Sequence, residues 1–136
     1  MARLVPKIYP RDIDENNPIG IGFPLTVGSQ KQNYFTTAQV HDNLRNLLLT
    51  IKGERPMNTE FGSDLYYLLF EPIDTEQLQE AATEAILEAV NNWMPAVQIN
   101  QVTIDPHPEQ NLVVVQIFYA INGWNADNVL NLEVKV

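Results

Sequence analysis

Leu112-Val113-Val114-Val115-Gln116-Ile117-Phe118-Tyr119-Ala120-Ile121 carries apolar side chains at nearly every position, odd and even alike. On an extended chain Val113, Val115, Ile117, Tyr119 and Ile121 point to one side, and Leu112, Val114, Phe118 and Ala120 to the other. A strand of this kind reads as covered on both faces and therefore central in its sheet.

The flanking segments keep the strand period. Val97 and Ile99 stand in one phase and Val102 and Ile104 in the other, which predicts a strand with a bulge near Asn100 and Gln101. Asp105-Pro106-His107-Pro108-Glu109-Gln110-Asn111 is a run of turn formers. Beyond the central strand, Leu130, Leu132, Val134 and Val136 alternate with Asn131, Glu133 and Lys135, predicting a last strand with one buried and one wet face that runs to the final residue. No proline blocks that strand. It can serve as the hairpin partner of the central strand or as an edge to which another chain adds a strand, and the two uses are compatible.

Towards the N-terminus the period changes to 3.6. Thr36 is placed as an N-cap with Gln39 as capping-box partner and a Phe35–Val40 staple. Val40, Leu44, Leu47, Leu48 and Ile51 then form one helical stripe, with Gly53 available as a left-handed C-cap. A second helix has Asp74 as N-cap, Gln77 at the capping-box position, an Ile73–Leu78 staple, and the stripe Leu78, Ala82, Ala85, Ile86, Ala89, Val90, Trp93 before Pro95. Asp64 to Phe70 reads as a third helix of about two turns. The predicted class is α+β: two main helices plus a short one on a small mixed or antiparallel sheet of about three to four strands.

Residues 1–35, interrupted by Pro6, Pro10, Pro18 and Pro24 and by Gly20, Gly22 and Gly28, read as an extended arm, and 36–136 as a single domain. Within the arm, Ile19 to Val27 alternates, but Pro24 restricts it to an edge strand or a docked loop. At 136 residues and 45% hydrophobic content the chain suits one compact unit. A run of about 18 apolar residues is absent, as is a signal-peptide core, so residence in a cytosol and no membrane partner are expected. There is no cysteine, so the core alone must hold the fold. A net charge of −9, from 17 acidic against 8 basic residues, disfavours a nucleic-acid partner, because no basic stripe exists to displace counterions.

Chemistry-bearing motifs are sparse. His41 and His107 lie far apart in sequence without metal-ligand spacing, so a metal site is not expected; His41 reads as a solvated helix residue and His107 as a loop residue. Neither a nucleophile elbow nor a phosphate loop occurs, and no cofactor or small-molecule substrate is expected. Glu54, Glu60, Asp64 and Glu71 are the candidate paired carboxylates of a glycan hydrolase. A general acid needs an apolar pocket, whereas Glu54 stands beside Lys52 and Arg55, which favours ion pairing.

The segment between the helices is the most distinctive. Leu48-Leu49-Thr50-Ile51-Lys52-Gly53-Glu54-Arg55-Pro56 continues through Met57 to Phe61-Gly62-Ser63-Asp64-Leu65 and closes on Leu68-Leu69-Phe70-Glu71-Pro72. Pro56 fixes the backbone direction, and Phe61 before flexible Gly62 can fold back on the core as a plug. Arg55 has the donor fork to hold a carboxylate, within the loop or on a neighbouring subunit. This string, followed by a helix and strands in the order above, resembles the small baseplate wedge, or sheath-initiator, family of contractile tails, some members of which are described as lysozyme-like. The likeness runs from about Phe35 to the end of the chain.

The resemblance implies a structural subunit of a phage tail baseplate or related injection machine, assembled in the host cytoplasm and carried in the virion. It would link other wedge proteins to the first ring of tail sheath and start sheath assembly by strand exchange, with tail tube or hub proteins as further contacts. Glu54, Arg55 and Pro56 of the loop, and Leu130, Leu132, Val134 and Val136 of the last strand, are then the candidate partner-binding residues. Family members often carry Glu-Pro-Arg after the second main helix, used in docking to a neighbouring wedge protein. Here the residues are Met94-Pro95-Ala96, so Trp93, Met94 and Pro95 are the candidates for an apolar contact in its place, alongside a core role for Trp93. A free regulatory module with the same fold is the rival reading, and a glycan hydrolase the third.

Overall fold

The computed structural model describes residues 18, 20–22, 28, 32–33, 36–72, 74–121 and 124–135, with backbone only at 124–127. Its elements, in order, are β1 (Gly20–Ile21), β2 (Gln32–Asn33), α1 (Thr36–Leu49), α2 (Leu65–Phe70), α3 (Thr75–Trp93), β3 (Val97–His107), β4 (Leu112–Ile121) and β5 (Trp124–Lys135), with a 3-10 turn at Pro108–Gln110. The chain forms two compact units, Met1–Leu44 and Arg45–Val136, divided within α1. The α+β class is as the periodicity predicts.

In the first unit β1 pairs antiparallel with β2. Of the expected strand or loop at Ile19 to Val27, only Gly20, Ile21 and Gly22 are described; Pro24 lies outside the described residues, as do Phe35 and Ile73 of the two staples. Asn33 is 2% exposed and donates its amide to Asp42 Oδ2 at 2.7 Å and to Gln39 Oε1 at 3.2 Å. Gln39 in turn donates to Asn43 Oδ1. Thr36 is the first residue of the helix, and the Gln39 side chain bridges Asn33 and Asn43. His41 is half-buried and not fully solvated.

The second unit is built on the sheet β3-β4-β5, antiparallel throughout, with β4 central as expected. The bulge falls between Ile99 and Gln101, which puts Val97, Ile99, Val102 and Ile104 on one face despite their change of phase. That face meets Val113, Val115, Ile117, Tyr119 and Ile121 of β4 and Leu130, Leu132 and Val134 of β5, of which none exceeds 7% exposure. The opposite face of β4 is not closed in the same way: Leu112, Val114, Phe118 and Ala120 are half-buried and Gln116 is exposed. Covering on both sides is thus corrected to one buried and one half-buried face.

Two strands outrun their sequence pattern. β3 continues through Asp105, Pro106 and His107, because an edge strand tolerates the missing proline N–H. The turn is accordingly shorter, Pro108–Gln110 followed by Asn111 in the left-handed region at φ 50°. β5 begins at Trp124, not Leu130, because backbone pairing to β4 extends past the alternating side chains. Val136 lies outside the described residues.

α3 buries Leu78, Ala82, Ala85, Ile86, Ala89 and Val90 and packs on β3 and α2. Asp74 occupies its N-cap with extended backbone but makes no side-chain capping bond. In α2, Leu65 and Leu69 are buried, while Tyr66, Tyr67 and Phe70 face outward.

Candidate functional site

The loop between α1 and α2 begins with a helix end that needs partners for its last carbonyls. Helix α1 stops at Leu49, and Thr50 donates both N–H (3.1 Å) and Oγ1 (2.6 Å) to Asn46 O. The carbonyls of Leu48 and Thr50 are taken by a residue thirteen or more positions on: Ser63 Oγ reaches Leu48 O at 2.9 Å, and Ser63 N–H reaches Thr50 O at 2.9 Å. Ser63 is 1% exposed and also bridges to Ile51, so it closes the base of the loop. Ile51 therefore lies beyond the helix it was expected to extend.

The loop interior is a succession of turns. Gly53 has φ 91° and donates to Thr59 O at 2.7 Å, so its left-handed conformation serves a turn of the loop and not the helix C-cap. Glu54 N–H donates to Ile51 O, while its carboxylate accepts the Ile51 N–H at 3.1 Å. Asn58 and Phe61 N–H groups close onto Arg55 O and Asn58 O. Gly62, at φ 127°, then passes so close to the helix end that a Cβ there would lie 2.5 Å from Thr50 O.

The charged groups pair differently from the expectation. Lys52 Nζ lies 3.1 Å from Asp64 Oδ2 and 3.4 Å from Glu88 Oε1, which ties the loop to the start of α2 and to α3. The hydrogen bond it donates to Asp64 chiefly, together with the charges of Asp64 and Glu88, holds the ammonium above its ordinary range against the opposing effect of burial. Glu54 thus has no ion pair with Lys52. Arg55 does not grip a carboxylate among the described residues either; its guanidinium lies 3.9 Å over the Phe61 ring.

Phe61 is the hinge of this cluster. Its ring meets Trp93 edge-on, with centroids 5.1 Å apart at 69°. Trp93 is 36% exposed, so it sits at the end of α3 on the surface and not in the core. Arg55 and Trp93, picked out separately in the sequence, therefore share one aromatic neighbour. An open groove beside them is lined by Lys52, Thr59, Glu60, Glu88, Asn92 and Trp93. Pro56 and Met57 are exposed at the tip, Met94 is half-buried and Pro95 exposed. Among the described residues no three His, Cys, Asp or Glu side chains could hold a metal ion.

The last strand is placed elsewhere in the unit and works differently. Leu130 and Leu132 are 1% exposed and Val134 is 7% exposed, so their side chains belong to the core. What β5 offers outward is its backbone edge and Val129, Asn131, Glu133 and Lys135. From Asn128 to Lys135 its register with β4 is unbroken, and among the described residues no further strand joins the sheet beyond β5. The β3 edge, by contrast, carries the bulge, Pro106, and Gln79 Nε2 donating to Val102 O at 3.4 Å. Ser63 and the Phe61–Trp93 contact escaped the sequence reading. A serine has no periodicity to betray it, and the two rings stand far apart in the chain.

A family model described as baseplate wedge protein gp25 matches residues 36–126. Baseplate wedge protein gp25 of Enterobacteria phage T4 is 27% identical over 97 residues, covering 71% of this chain and 72% of that protein. Among solved structures, a protein of Geobacter sulfurreducens described as a tail lysozyme superposes with a TM-score of 0.67 at 21% identity, covering 83% of this chain and 96% of that one. A chain of the type VI secretion system baseplate complex does so at 0.55 and 16%, covering 72% and 91%. These superpositions share the fold. The matched span takes in both main helices, the loop closed by Ser63, β3 and β4, and so the chain belongs to the baseplate wedge protein gp25 family, structural proteins of the phage tail baseplate.

Proposed function

We propose that this wedge protein nucleates the tail sheath by accepting a strand of a sheath subunit on the β5 edge, while its loop and α3 end hold neighbouring wedge proteins. The observation that carries this reading is the contrast between the two sheet edges. Natural sheets block an edge that must stay unpaired with bulges, prolines or covering side chains. β3 has all three, and β5 from Asn128 to Lys135 has neither bulge nor proline. An added strand would pair with the β5 backbone, its register set by contacts with Val129, Asn131, Glu133 and Lys135. Leu130, Leu132 and Val134 act from the core by keeping β5 straight.

The second contact region is the Arg55–Phe61–Trp93 stack with Glu54, Pro56, Met94 and Pro95 around it. An arginine and a tryptophan held by a common ring, at the surface, form the type of anchor that dominates interface energies. No catalysis is assigned. Asp64 is bound to Lys52 and Glu54 to a backbone amide, while Glu60 and Glu71 are exposed, so none of these carboxyls has the apolar pocket of a general acid.

The test is to disrupt the gene and image the particles in negative stain. Baseplates and tubes without anchored sheath, restored by the intact gene, are expected; normal contractile particles overturn the reading. Removing β5 is unsuitable, since it removes core side chains. The strand exchange is checked instead by a cysteine at Asn131 of this cysteine-free chain, oxidised in particles against single-cysteine sheath subunits. Cross-links recurring at every second sheath position are expected, and their absence rejects strand addition.

A further inference from the structure

We infer that the outward face of α2 is a second docking surface, one that takes an arginine-bearing segment of another protein. Tyr66, Tyr67 and Phe70 are 37%, 56% and 44% exposed. Their rings are contiguous: Tyr66 and Phe70 centroids lie 4.7 Å apart at 46°, Tyr66 and Tyr67 6.5 Å apart at 77°. Three touching aromatic rings on a helix of six residues make a patch, not a scatter of single apolar side chains. The patch is rigid, because Leu65 and Leu69 are buried and α2 packs on α3. Rigid exposed aromatics lose little conformational freedom when covered, which suits them to binding.

Charge selects the occupant. Residues 56 to 134 contain twelve Asp or Glu and not one Lys or Arg. Asp64 and Glu71 stand at the two ends of α2; Lys52 neutralises the first, whereas Glu71 is exposed and has no ion pair among the described residues. Ring faces carry negative potential, so patch and surroundings both favour a cation. Glu71 beside Phe70 offers a guanidinium both a bidentate acceptor and a ring to stack on, a combination a lysine ammonium cannot use fully. The molecule already makes the stacked half of this arrangement internally, with Arg55 3.9 Å over Phe61. The occupant is therefore a segment that presents arginine next to apolar residues. This goes beyond the wedge reading and does not depend on it.

The test uses the purified full chain and a short fluorescent peptide in which arginine alternates with leucine, followed by anisotropy. The wild-type chain is expected to bind it, to bind the lysine version less tightly, and not to bind a citrulline version, which keeps the shape without the charge. Tyr67→Ser/Phe70→Ser should weaken binding by about tenfold, since it removes two stacking surfaces. Tyr67→Ser alone removes the most exposed ring of the three; it should leave the melting temperature near that of the wild type and cost about threefold in binding. Glu71→Gln should weaken binding, and Glu109→Gln, on the turn between β3 and β4, should not. No binding, equal binding by the ring variants, or an equal loss with Glu109→Gln overturns the inference. Self-association that Tyr67→Ser/Phe70→Ser abolishes also overturns it, in favour of a second copy as occupant. No baseplate is needed, so failure here leaves the sheath assignment standing.

Discussion

In the β3–β5 sheet, alternate residues of β4 reach 7%, 0%, 0%, 1% and 3% exposure, and what each contributes is volume on a shared face. In the loop from Thr50 to Asp64, every residue from Gly53 to Glu60 is exposed, yet its path is fixed by single atoms: one hydroxyl on Ser63 and one missing Cβ on Gly62. A sheet of this kind tolerates exchange among apolar residues of similar size and suffers when volume is lost. The loop depends instead on particular atoms, above all at Ser63 and Gly62. Arg55 and Pro56 thus stand exposed on a loop whose base is fixed by Ser63 and Gly62.

The sharpest attempt to break this contrast is truncation of Ile117, which is fully buried on β4 opposite Leu130. Ile117→Ala is expected to cost about 2–5 kcal/mol, and Ile117→Val about 0.5–1.5 kcal/mol. Urea unfolding should show the midpoint falling with little change in slope. If Ile117→Ala costs less than a loop glycine substitution, volume is not what holds the sheet.

The next effect tests the loop. Gly62→Ala places a side chain at φ 127° and against Thr50 O, an atom of the backbone that cannot swing away. Backbone strain alone is about 1–3 kcal/mol, and the overlap adds to it. Gly53→Ala is the control: it shares the positive φ, at 91°, but a Cβ there meets nothing within 4 Å. The gap between the two variants in thermal or urea unfolding isolates the close approach. Equal losses would mean that Gly62 matters only for its dihedral angle.

The same contrast explains what could be read in advance. The strand and helix stripes, the bulge at Asn100 and the central place of β4 are written in local period, because each needs only the spacing of its own apolar residues. The first residues of β5 are paired through backbone and carry no alternation, so local period marks the strand only from Leu130. In the loop the decisive contacts cross the chain: Lys52 meets carboxylates 12 and 36 positions away, and Arg55 finds a ring where a carboxylate was expected. Neither the Ser63 bonds nor the Phe61–Trp93 contact depends on residues adjacent in sequence, so the string of the loop does not reveal them.

The smallest expected effect concerns Lys52. Its side chain is 31% exposed and its partners Asp64 and Glu88 are 48% and 56% exposed, so solvent screens both pairs. Lys52→Met is expected to cost about 0.2–1 kcal/mol per pair at low salt. Because the folded-state value is raised above the ordinary 10.5, the contribution is fully present below that pH and is lost as the pH climbs through the folded value. The stability difference between wild type and Lys52→Met should thus hold from neutral pH to about pH 10, then shrink, and should also shrink in about 1 M salt. A difference that survives both treatments would assign Lys52 to the loop through its aliphatic stem, placing it with the volume-held sheet and not with the atom-held loop.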